Sequence, residues 1–461
     1  MNYISRDKHF YRKLMVLAVP MVLQNLINNS LSMLDTFMVG ALGEEALGGV
    51  TLANTVFFIV MLLNVGLQSG GMVLISQYWG KRDENAINRI FGIGAAIALA
   101  VSLLMSTAIM LFPTQIYGFT TNDPQLLPLA ARYARVVAVS YVFNSITMMY
   151  IAVQRSMGNT RLGMNILVVS MALNTFLNWV MIFGKLGFPA MGIEGAALAT
   201  VTSRVAEFLI TAYYARARSS FRLDFRAILR PGVAIFKDFL KYSVPVIVND
   251  AVWGVGFSFY AVIIGHMPDA VSGIAAYTIT LTIERVLSAA YFGAGSAAAI
   301  LVGKPLGAGD PEAARTAGTT MLLVTFLLGL AAGALMMALS LTLVEPVLFP
   351  LFGATEETRR IGGKMLIFLS IATPFKAFNT CNIVGVLRGG GDVRAGAILD
   401  LSAMYAVALP ASALAGLVFG APVLVVYALM NLEEVVKLFF GYWRFNQRKW
   451  LRNVTRDLRA V

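Results

Sequence analysis

The stretch that decides the fold class is Leu14–Val39, which reads LMVLAVPMVLQNLINNSLSMLDTFMV. It is long enough to cross a bilayer, since a spanning helix needs about 20 predominantly apolar residues. Asp35 lies within it, and a carboxylate at bilayer depth costs about 2.5–3.5 kcal/mol on insertion scales. Such a group is usually retained because it titrates, pairs or binds something. The stretch therefore indicates a membrane protein in which a buried acid handles a cation.

The composition of the whole chain agrees with this interpretation. Of 461 residues, 58% are hydrophobic and 13% are charged, whereas soluble domains carry about 25% charged residues. The first apolar run is too long for a signal-peptide core and no small-residue cleavage site follows it, so we expect no cleaved signal. The net charge of +12 comes from basic loops between apolar runs, which indicates membrane topology rather than nucleic-acid binding.

Twelve apolar runs predict an all-α membrane protein with 12 transmembrane helices, because open sheets cannot span lipid. The chain also repeats, so the helices form two six-helix repeats. The predicted spans are 14–39, 48–77, 89–112, 130–153, 163–183, 191–214, 236–265, 271–300, 315–341, 361–386, 395–418 and 422–443. The aligned segments are Leu14–Pro20 with Phe239–Pro245, Val39–Gly40 with Ile264–Gly265, Ile75–Asn88 with Leu301–Arg315, and Arg155–Asn159 with Arg388–Asp392.

The repeat sets the predicted domains: an N-lobe (1–215), a cytoplasmic basic linker (216–235), a C-lobe (236–443) and a basic cytoplasmic tail (444–461). Six spans in each half make the repeats parallel, and transporters of this kind bind substrate between the halves. A channel could also be duplicated, so the repeat alone leaves function open. Lys and Arg concentrate in the even-to-odd loops and the termini, which places both termini in the cytoplasm. We expect a multi-pass protein of the cell (plasma or inner) membrane.

Several short motifs occur in a fixed order across the two repeats: Leu34–Phe37, Gly43–Leu47, Gly192–Thr200, Leu306–Asp310 and Arg388–Asp392. Together they resemble the multidrug and toxic compound extrusion (MATE) family. The resemblance implies a V-shaped, two-lobed transporter and not an enzyme. It implies a secondary active antiporter that exports organic, often cationic or amphipathic compounds in exchange for inward H⁺ or Na⁺ by alternating access.

The resemblance also implies a cation-coupling site in the N-lobe. Asp35 matches the helix-1 aspartate of the family, and Asn174 matches an asparagine of the same cavity. Asn178 lies one turn from Asn174, where some members carry a second aspartate. An amide cannot titrate and removes one charge from a Na⁺ cage, which favours H⁺ slightly. Thr200 could supply an oxygen, although Asn174, Asn178 and Thr200 could also be interhelical hydrogen-bond groups.

The C-lobe carries a second set of charges at membrane depth, whose role stays open between function and internal pairing. They are Asp250, Glu284, Lys376 and Asp400. Glu284 and Lys376 are a candidate ion pair, since both lie mid-span. Two local pairs, Arg204 with Glu207 and Glu433 with Lys437, have helical spacings that suit neutralisation. The single cysteine, Cys381, excludes an intrachain disulfide. The two histidines cannot form a multi-histidine metal site, so we predict no metal.

A cavity that accepts many compounds should be soft and aromatic. The candidate lining residues, many of which could be ordinary packing, are Gln24, Asn28, Met33, Tyr141, Asn144, Met148, Trp253, Phe257 and Tyr260. The glycine turns at Gly307–Gly309 and Gly389–Gly391 do not fit a phosphate-loop pattern, so we expect no nucleotide cofactor and an ion gradient as the energy source. The expected partners are small organic substrates, the coupling cation and the lipid bilayer, with no nucleic acid, for a monomer.

Three other functions would each require features that can be looked for in the sequence. A lipid-linked oligosaccharide flippase of a related fold is the alternative; it would need a strongly cationic cavity, and the charges here are mixed. An intramembrane enzyme would need a clustered metal or nucleophile set at depth, and the sequence has none. An ion channel would usually carry a pore loop or charge rings, which the sequence does not show.

Overall fold

The computed structural model describes residues 3–219, 221–342, 344, 349 and 353–457. Throughout this part of the chain the regular secondary structure is helical. The predicted all-α membrane architecture is therefore confirmed. Helices are the expected solution, because each one satisfies its own backbone hydrogen bonds within the lipid.

The helices are numbered here in chain order. Within the described residues, π-helical segments directly follow α13, α14 and α15; they are Cys381–Leu387, Ala403–Ala408 and Leu414–Val418. The α-helices are α1 Lys8–Gly40, α2 Glu44–Lys81, α3 Glu84–Leu111, α4 Pro113–Gly118, α5 Leu126–Val137, α6 Val139–Ser156, α7 Thr160–Phe183, α8 Gly192–Ala217, α9 Phe225–Leu229, α10 Val233–Gly265, α11 Ala270–Gly307, α12 Pro311–Leu339, α13 Glu356–Thr380, α14 Val393–Ser402, α15 Leu409–Ala413, α16 Val423–Met430 and α17 Leu432–Asn446.

The helix order reproduces the twelve predicted spans. In the described residues, nine helical runs are long and apolar enough to cross a bilayer, and the α5–α6 pair, bent by 50°, makes a tenth. The remaining two positions are taken by α8 and by the α16–α17 pair. Both carry charges in their middle, such as Arg204 and Lys437.

Residue contacts divide the chain into two compact units. We call Leu23–Ile247 the N-unit, and the C-unit comprises Val248–Arg456 together with the residues up to Val22. The division falls inside α1 and α10, a few residues after the proline of each helix, rather than in the linker 216–235. The described residues up to Val22 accordingly belong to the C-unit, and Ser5, three residues before α1, donates its backbone N–H to Thr320 Oγ1 at 2.9 Å.

The turns that end α2 and α11 preserve the internal repeat in three dimensions. Each contains a residue in the left-handed conformation, Arg82 (φ 61°) or Gly309 (φ 84°). An aspartate follows each one. The carboxylates of Asp83 and Asp310 accept the backbone N–H three residues further on, at 3.0 and 2.9 Å. These are N-caps of the helices that follow, so the same local chemistry starts α3 and α12.

Small residues allow α2 and α10 to pack closely within the N-unit. A Cβ atom built at Gly70 would overlap the backbone of Ser243, and one built at Gly66 would lie 2.5 Å from the Ile247 side chain. The hydrophobic effect does not drive association between helices in lipid, so close backbone approach at small residues supplies the van der Waals packing instead.

We predict that Gly70→Ala destabilises the protein by about 1–3 kcal/mol, the usual cost of overpacking a tight interior. The measurement is thermal unfolding of the purified protein in detergent. Gly254→Ala is the matched control, because a Cβ at that helical glycine meets no atom within 4 Å. Equal unfolding temperatures for the two variants would contradict the close contact at Gly70.

Candidate functional site

The helix-1 acid of the N-unit is bound by an amide. Asp35, on α1, accepts a hydrogen bond at 2.8 Å from Nδ2 of Asn178 on α7. The same Nδ2 donates to Asn174 Oδ1 at 3.1 Å, one turn earlier on α7. Both asparagines are buried, whereas Asp35 is half-buried. Three of the four residues predicted for the coupling site therefore meet in one hydrogen-bonded chain.

The fourth predicted residue, Thr200, reaches the same neighbourhood through a tyrosine. Its hydroxyl donates to Ala196 O at 3.0 Å and lies near the buried side chain of Tyr133 on α5. Tyr133 lies within electrostatic reach of Asp35. Tyr133 was not among the predicted residues, because in an apolar helix its sequence neighbourhood resembles that of a packing tyrosine.

A bound arginine completes the polar cluster. Arg204 on α8 binds both carboxylate oxygens of Glu207, at 2.9 and 2.8 Å, so the local pair predicted from spacing is present. Arg204 also interacts electrostatically with Asp35. The cluster thus holds two acids and one fixed cation. Glu207 is neutralised directly, while the partner that the described residues give Asp35 is a neutral amide.

The donor set of this cluster suits a proton or one small hard cation. The buried Oδ1 of Asn178 has no hydrogen-bond partner among the described residues, and a buried polar atom of this kind calls for an explanation. Beside it, Asp35 provides the carboxylate oxygens. Within the described part of the chain, no group of three or more His, Cys, Asp or Glu side chains could hold a metal ion.

Charges in the C-unit form a connected network. Asp250 on α10 pairs with Arg388 at 3.1 Å. Asn249, next to Asp250, donates to Asp250 Oδ1 at 3.2 Å and to Asp400 Oδ2 at 3.1 Å. Asp400 in turn pairs with Lys437 on α17 at 2.8 Å. Asn249 therefore links two ion pairs that the sequence analysis treated as separate charges.

Two further acids of the C-unit have direct partners. Glu284 on α11 and Lys376 on α13 form the ion pair expected from the sequence, at 2.6 Å. Glu434 on α17, which the sequence analysis did not consider, accepts a hydrogen bond from Asn379 at 2.8 Å. The local pair of Lys437 with Glu433 is present but longer, at 3.4 Å, because Lys437 reaches across to Asp400.

The repeat does not duplicate the site. In the alignment of Leu14–Pro20 with Phe239–Pro245, the position of Asp35 corresponds to Tyr260, which is buried and packs against Phe257. The C-unit therefore lacks an acid at the position equivalent to Asp35. Its charges lie on other helices.

The predicted substrate residues of the N-unit differ in exposure. Met33 is 51% exposed and Asn28 is exposed, whereas Tyr141 is 1% exposed and belongs to the hydrophobic core of the unit. Gln24 is buried and donates to Thr160 O at 2.9 Å. Asn144 is buried and Met148 is half-buried. Tyr141 therefore contributes mainly to core packing, and Gln24 mainly links α1 to the start of α7.

In the C-unit, the predicted substrate residues form an aromatic row on α10. Trp253 and Phe257 stack with ring centroids 5.2 Å apart, and Phe257 meets Tyr260 edge-on at 6.2 Å. Trp253 is 37% exposed and Tyr260 only 3%. The exposed end of the row at Trp253 can contact a flat or cationic compound, while Tyr260 is part of the core.

An apolar groove of about 550 Å³ runs between α1 and α7 beside the acid of the N-unit. None of its lining residues belongs to the predicted substrate set. They are Leu34, Val168, Met171, Ala172, Thr175, Phe176 and Trp179.

The chain is similar in sequence to multidrug resistance proteins. A family model described as MatE matches residues 20–180 and 245–428. The probable multidrug resistance protein NorM of Bradyrhizobium diazoefficiens is 30% identical over 403 residues, covering 86% of this chain and 84% of that protein. The probable NorM protein of Thermotoga maritima is 28% identical over 316 residues, covering 68% of this chain and 67% of that protein.

Solved structures give the same fold. An outward-facing multidrug resistance MATE family transporter of the MOP superfamily aligns with a TM-score of 0.82 at 20% identity, over 97% of this chain and 99% of that one. At this identity the likeness establishes the fold.

We predict that Glu284→Gln and Lys376→Met each lower stability by about 1.5–3 kcal/mol, because each breaks a charge-assisted hydrogen bond between two half-buried side chains. The double variant removes both charges and should recover much of the loss. Thermal unfolding of the wild type, both single variants and the double variant in detergent measures this coupling. A double variant less stable than either single one would show that the two side chains are not coupled.

Proposed function

This chain belongs to the MatE family of multidrug efflux transporters, and we propose that it is a secondary active antiporter. It exports organic, often cationic or amphipathic compounds and takes up H⁺ or Na⁺ in exchange, by alternating access. Members of the family are transporters, so the chain is a membrane transporter and not an enzyme. The coupling ion, the exchange mechanism and the residues that carry them are the proposal.

The observation that carries the proposal is the bonding of Asp35. Its direct partner is the Asn178 amide at 2.8 Å, whereas Asp250, Glu284 and Asp400 each contact Arg or Lys at 3.1 Å or less. A carboxylate already neutralised by a fixed cation gains little from an incoming ion. Among the acids that the sequence analysis proposed for coupling, Asp35 is the one without such a contact in the described part of the chain, so it is the best placed of them to take a cation from solution.

The proposed cycle couples the charge of Asp35 to the contact between α1 and α7. When Asp35 is ionised, its carboxylate accepts the hydrogen bond from Asn178 and links the two helices. Binding of a proton removes the charge, and burial in an apolar environment favours the neutral form. The bond from Asn178 then weakens, because a charged acceptor makes a stronger hydrogen bond than a neutral one. The helices can adopt a second packing, in which substrate is released.

We propose H⁺ as the coupling ion. Hard metal cations prefer several oxygen ligands, some of them charged, and this cluster offers one carboxylate that is not already bound to a cation. The neighbouring Arg204 adds a fixed positive charge, which opposes a second cation at the same place. A proton needs only the carboxylate. Asn178 Oδ1 is the neutral oxygen that would favour Na⁺, because it has no hydrogen-bond partner in the described residues, whereas Asn174 Oδ1 accepts from Asn178 Nδ2.

We propose that the charges of the C-unit are structural. Asp250, Glu284 and Asp400 are held by Arg388, Lys376 and Lys437, respectively, on helices far apart in the sequence. Such buried pairs contribute little net stability but enforce one packing arrangement, because breaking a pair is costly. In this view the N-unit carries the coupling and the C-unit stays rigid.

The pairing also speaks against a lipid-linked oligosaccharide flippase. That function needs free cations to bind a pyrophosphate. Arg204, Lys376, Arg388 and Lys437 each contact a carboxylate at 2.6–3.1 Å, so these cations are already engaged.

The remaining assignments follow from the sequence. Basic loops support a cell-membrane protein with both termini in the cytoplasm. We propose that a monomer acts alone on small organic compounds within the bilayer. The exposed side chains Met33 and Trp253 are the best substrate contacts, since thioethers adapt to irregular shapes and indoles bind cations.

We predict that Asp35→Asn abolishes gradient-driven transport while the protein remains folded. Proteoliposomes carrying ΔpH alone, or ΔNa⁺ alone, are assayed for flux of a fluorescent organic cation. The wild type should respond to ΔpH, and the variant should match empty liposomes. Asp123→Asn is the matched control, because this exposed acid caps α5, where asparagine caps equally well. Persistent ΔpH-driven flux in Asp35→Asn would overturn the proposed role.

We predict that Asn178→Asp moves the ion response towards Na⁺. The substitution places two carboxyl groups in direct contact, and two such groups cannot easily both ionise unless a cation lies between them. The ratio of ΔNa⁺-driven to ΔpH-driven flux should rise above that of the wild type in the same assay. Asn174→Asp, one turn away and not in contact with Asp35, is the control. An unchanged ratio in Asn178→Asp would contradict the ligand role of this position.

A further inference from the structure

The connection between α8 and α10 is anchored to the N-unit at the start of α3. Asn88 Nδ2 donates to Arg222 O, and Asp224 N donates to Asn88 Oδ1, both at 3.1 Å. The backbone of Ile228 lies directly on Gly92, where a Cβ atom would collide with it. The short helix α9 is therefore held in a defined position, with one face against α3.

The opposite face of this connection exposes two rows of side chains. Phe225, Leu229 and Val233 are 70%, 79% and 70% exposed. Their spacing of four residues places Phe225 and Leu229 on the same face of α9. The arginines next to them in sequence follow the same spacing and are also exposed. We call this surface the linker stripe; its residues are Arg222, Phe225, Arg226, Leu229, Arg230 and Val233.

The arginines of the linker stripe are available for a partner. Among the residues that the structure describes, none of the three forms an ion pair within 4 Å. The acid beside them, Asp224, uses its carboxylate to accept the backbone N–H groups of Arg226 and Ala227. It caps α9 and does not neutralise the arginine row.

The position of the stripe determines which surface it meets. It lies between the end of α8 at Ala217 and the start of α10 at Val233, where two spans leave the bilayer. An apolar row beside a row of arginines is the pattern of a segment that lies in the membrane interface. Anionic lipids attract basic side chains at this level, and guanidinium groups bind phosphate oxygens through two parallel hydrogen bonds.

We propose that the linker stripe is a binding surface for anionic phospholipid headgroups. Arg222, Arg226 and Arg230 hold the phosphates, while Phe225, Leu229 and Val233 enter the boundary between headgroups and acyl chains. Because α9 is fixed to α3, lipid binding here ties the cytoplasmic end of the N-unit to the bilayer surface. This surface is separate from the Asp35 cluster, so the inference does not depend on the coupling ion or the exported compound.

The test relies on the native cysteine being inaccessible to a thiol-reactive label. Cys381 is fully buried, so an environment-sensitive fluorophore attached to Phe225→Cys reports on the linker stripe, and unmodified protein controls for background labelling. The labelled protein is reconstituted in vesicles of phosphatidylcholine with or without phosphatidylglycerol. We expect the emission to shift to shorter wavelength with phosphatidylglycerol, and high salt to reverse the shift by screening. The triple variant Arg222→Gln, Arg226→Gln, Arg230→Gln should lose the shift.

A label at Phe119→Cys is the control, because Phe119 is 93% exposed and lies near Asp123, in a loop without a row of arginines. Its emission should not respond to phosphatidylglycerol. An emission at Phe225→Cys that is typical of water in both lipid mixtures would overturn the proposal and leave the stripe open to a protein partner. A shift that survives in the triple variant would also overturn it.

Discussion

The structure depends on one electrostatic constraint: a charge placed among apolar side chains in a bilayer has to be neutralised or used. The C-unit meets the constraint by pairing. Arg388, Lys376 and Lys437 each bind an acid from a different helix, and Asn249 joins two of the pairs. These contacts allow helices with charged centres to remain in lipid, and they also set the register in which those helices pack.

The N-unit meets the same constraint differently. Glu207 is bound by Arg204 through both oxygens, while Asp35 relies on the Asn178 amide. An amide stabilises a carboxylate without cancelling its charge, so the energetic demand at Asp35 is only partly met. The two repeats share their turns, caps and helix order, yet they treat buried charge in opposite ways.

The sequence predicts most of the scaffold, because hydropathy, loop charge and glycine turns act locally. The helix order and the alignment of Ile75–Asn88 with Leu301–Arg315 follow from such signals, whereas the caps formed by Asp83 and Asp310 were seen only in the structure. Ion pairs were predictable only in part. Helical spacing suggested Lys437 with Glu433, but the shorter contact is to Asp400, which lies on another helix. Partner choice across helices depends on helix rotation and tilt, which local spacing along the sequence does not reveal.

Tyr133 illustrates the same limit for the site. Nothing in its sequence neighbourhood separates it from a packing tyrosine, and only the approach of α5 to α8 brings it to Thr200. Asn178 was found because it stands one turn from Asn174 and belongs to a family pattern. Residues that act through short-range spacing are thus accessible from the sequence, whereas residues that act through tertiary contact are not.

The division of the chain within α1 has a consequence for biosynthesis. Ser5 and Thr320, which are hydrogen-bonded in the C-unit, lie 315 positions apart. A ribosome delivers the start of α1 long before it delivers the helices that this segment packs against. While the N-unit is synthesised, this segment is therefore in the membrane without the C-unit helices that it later contacts. Folding of the C-unit is therefore complete only when the first residues of the chain pack against helices that are synthesised last.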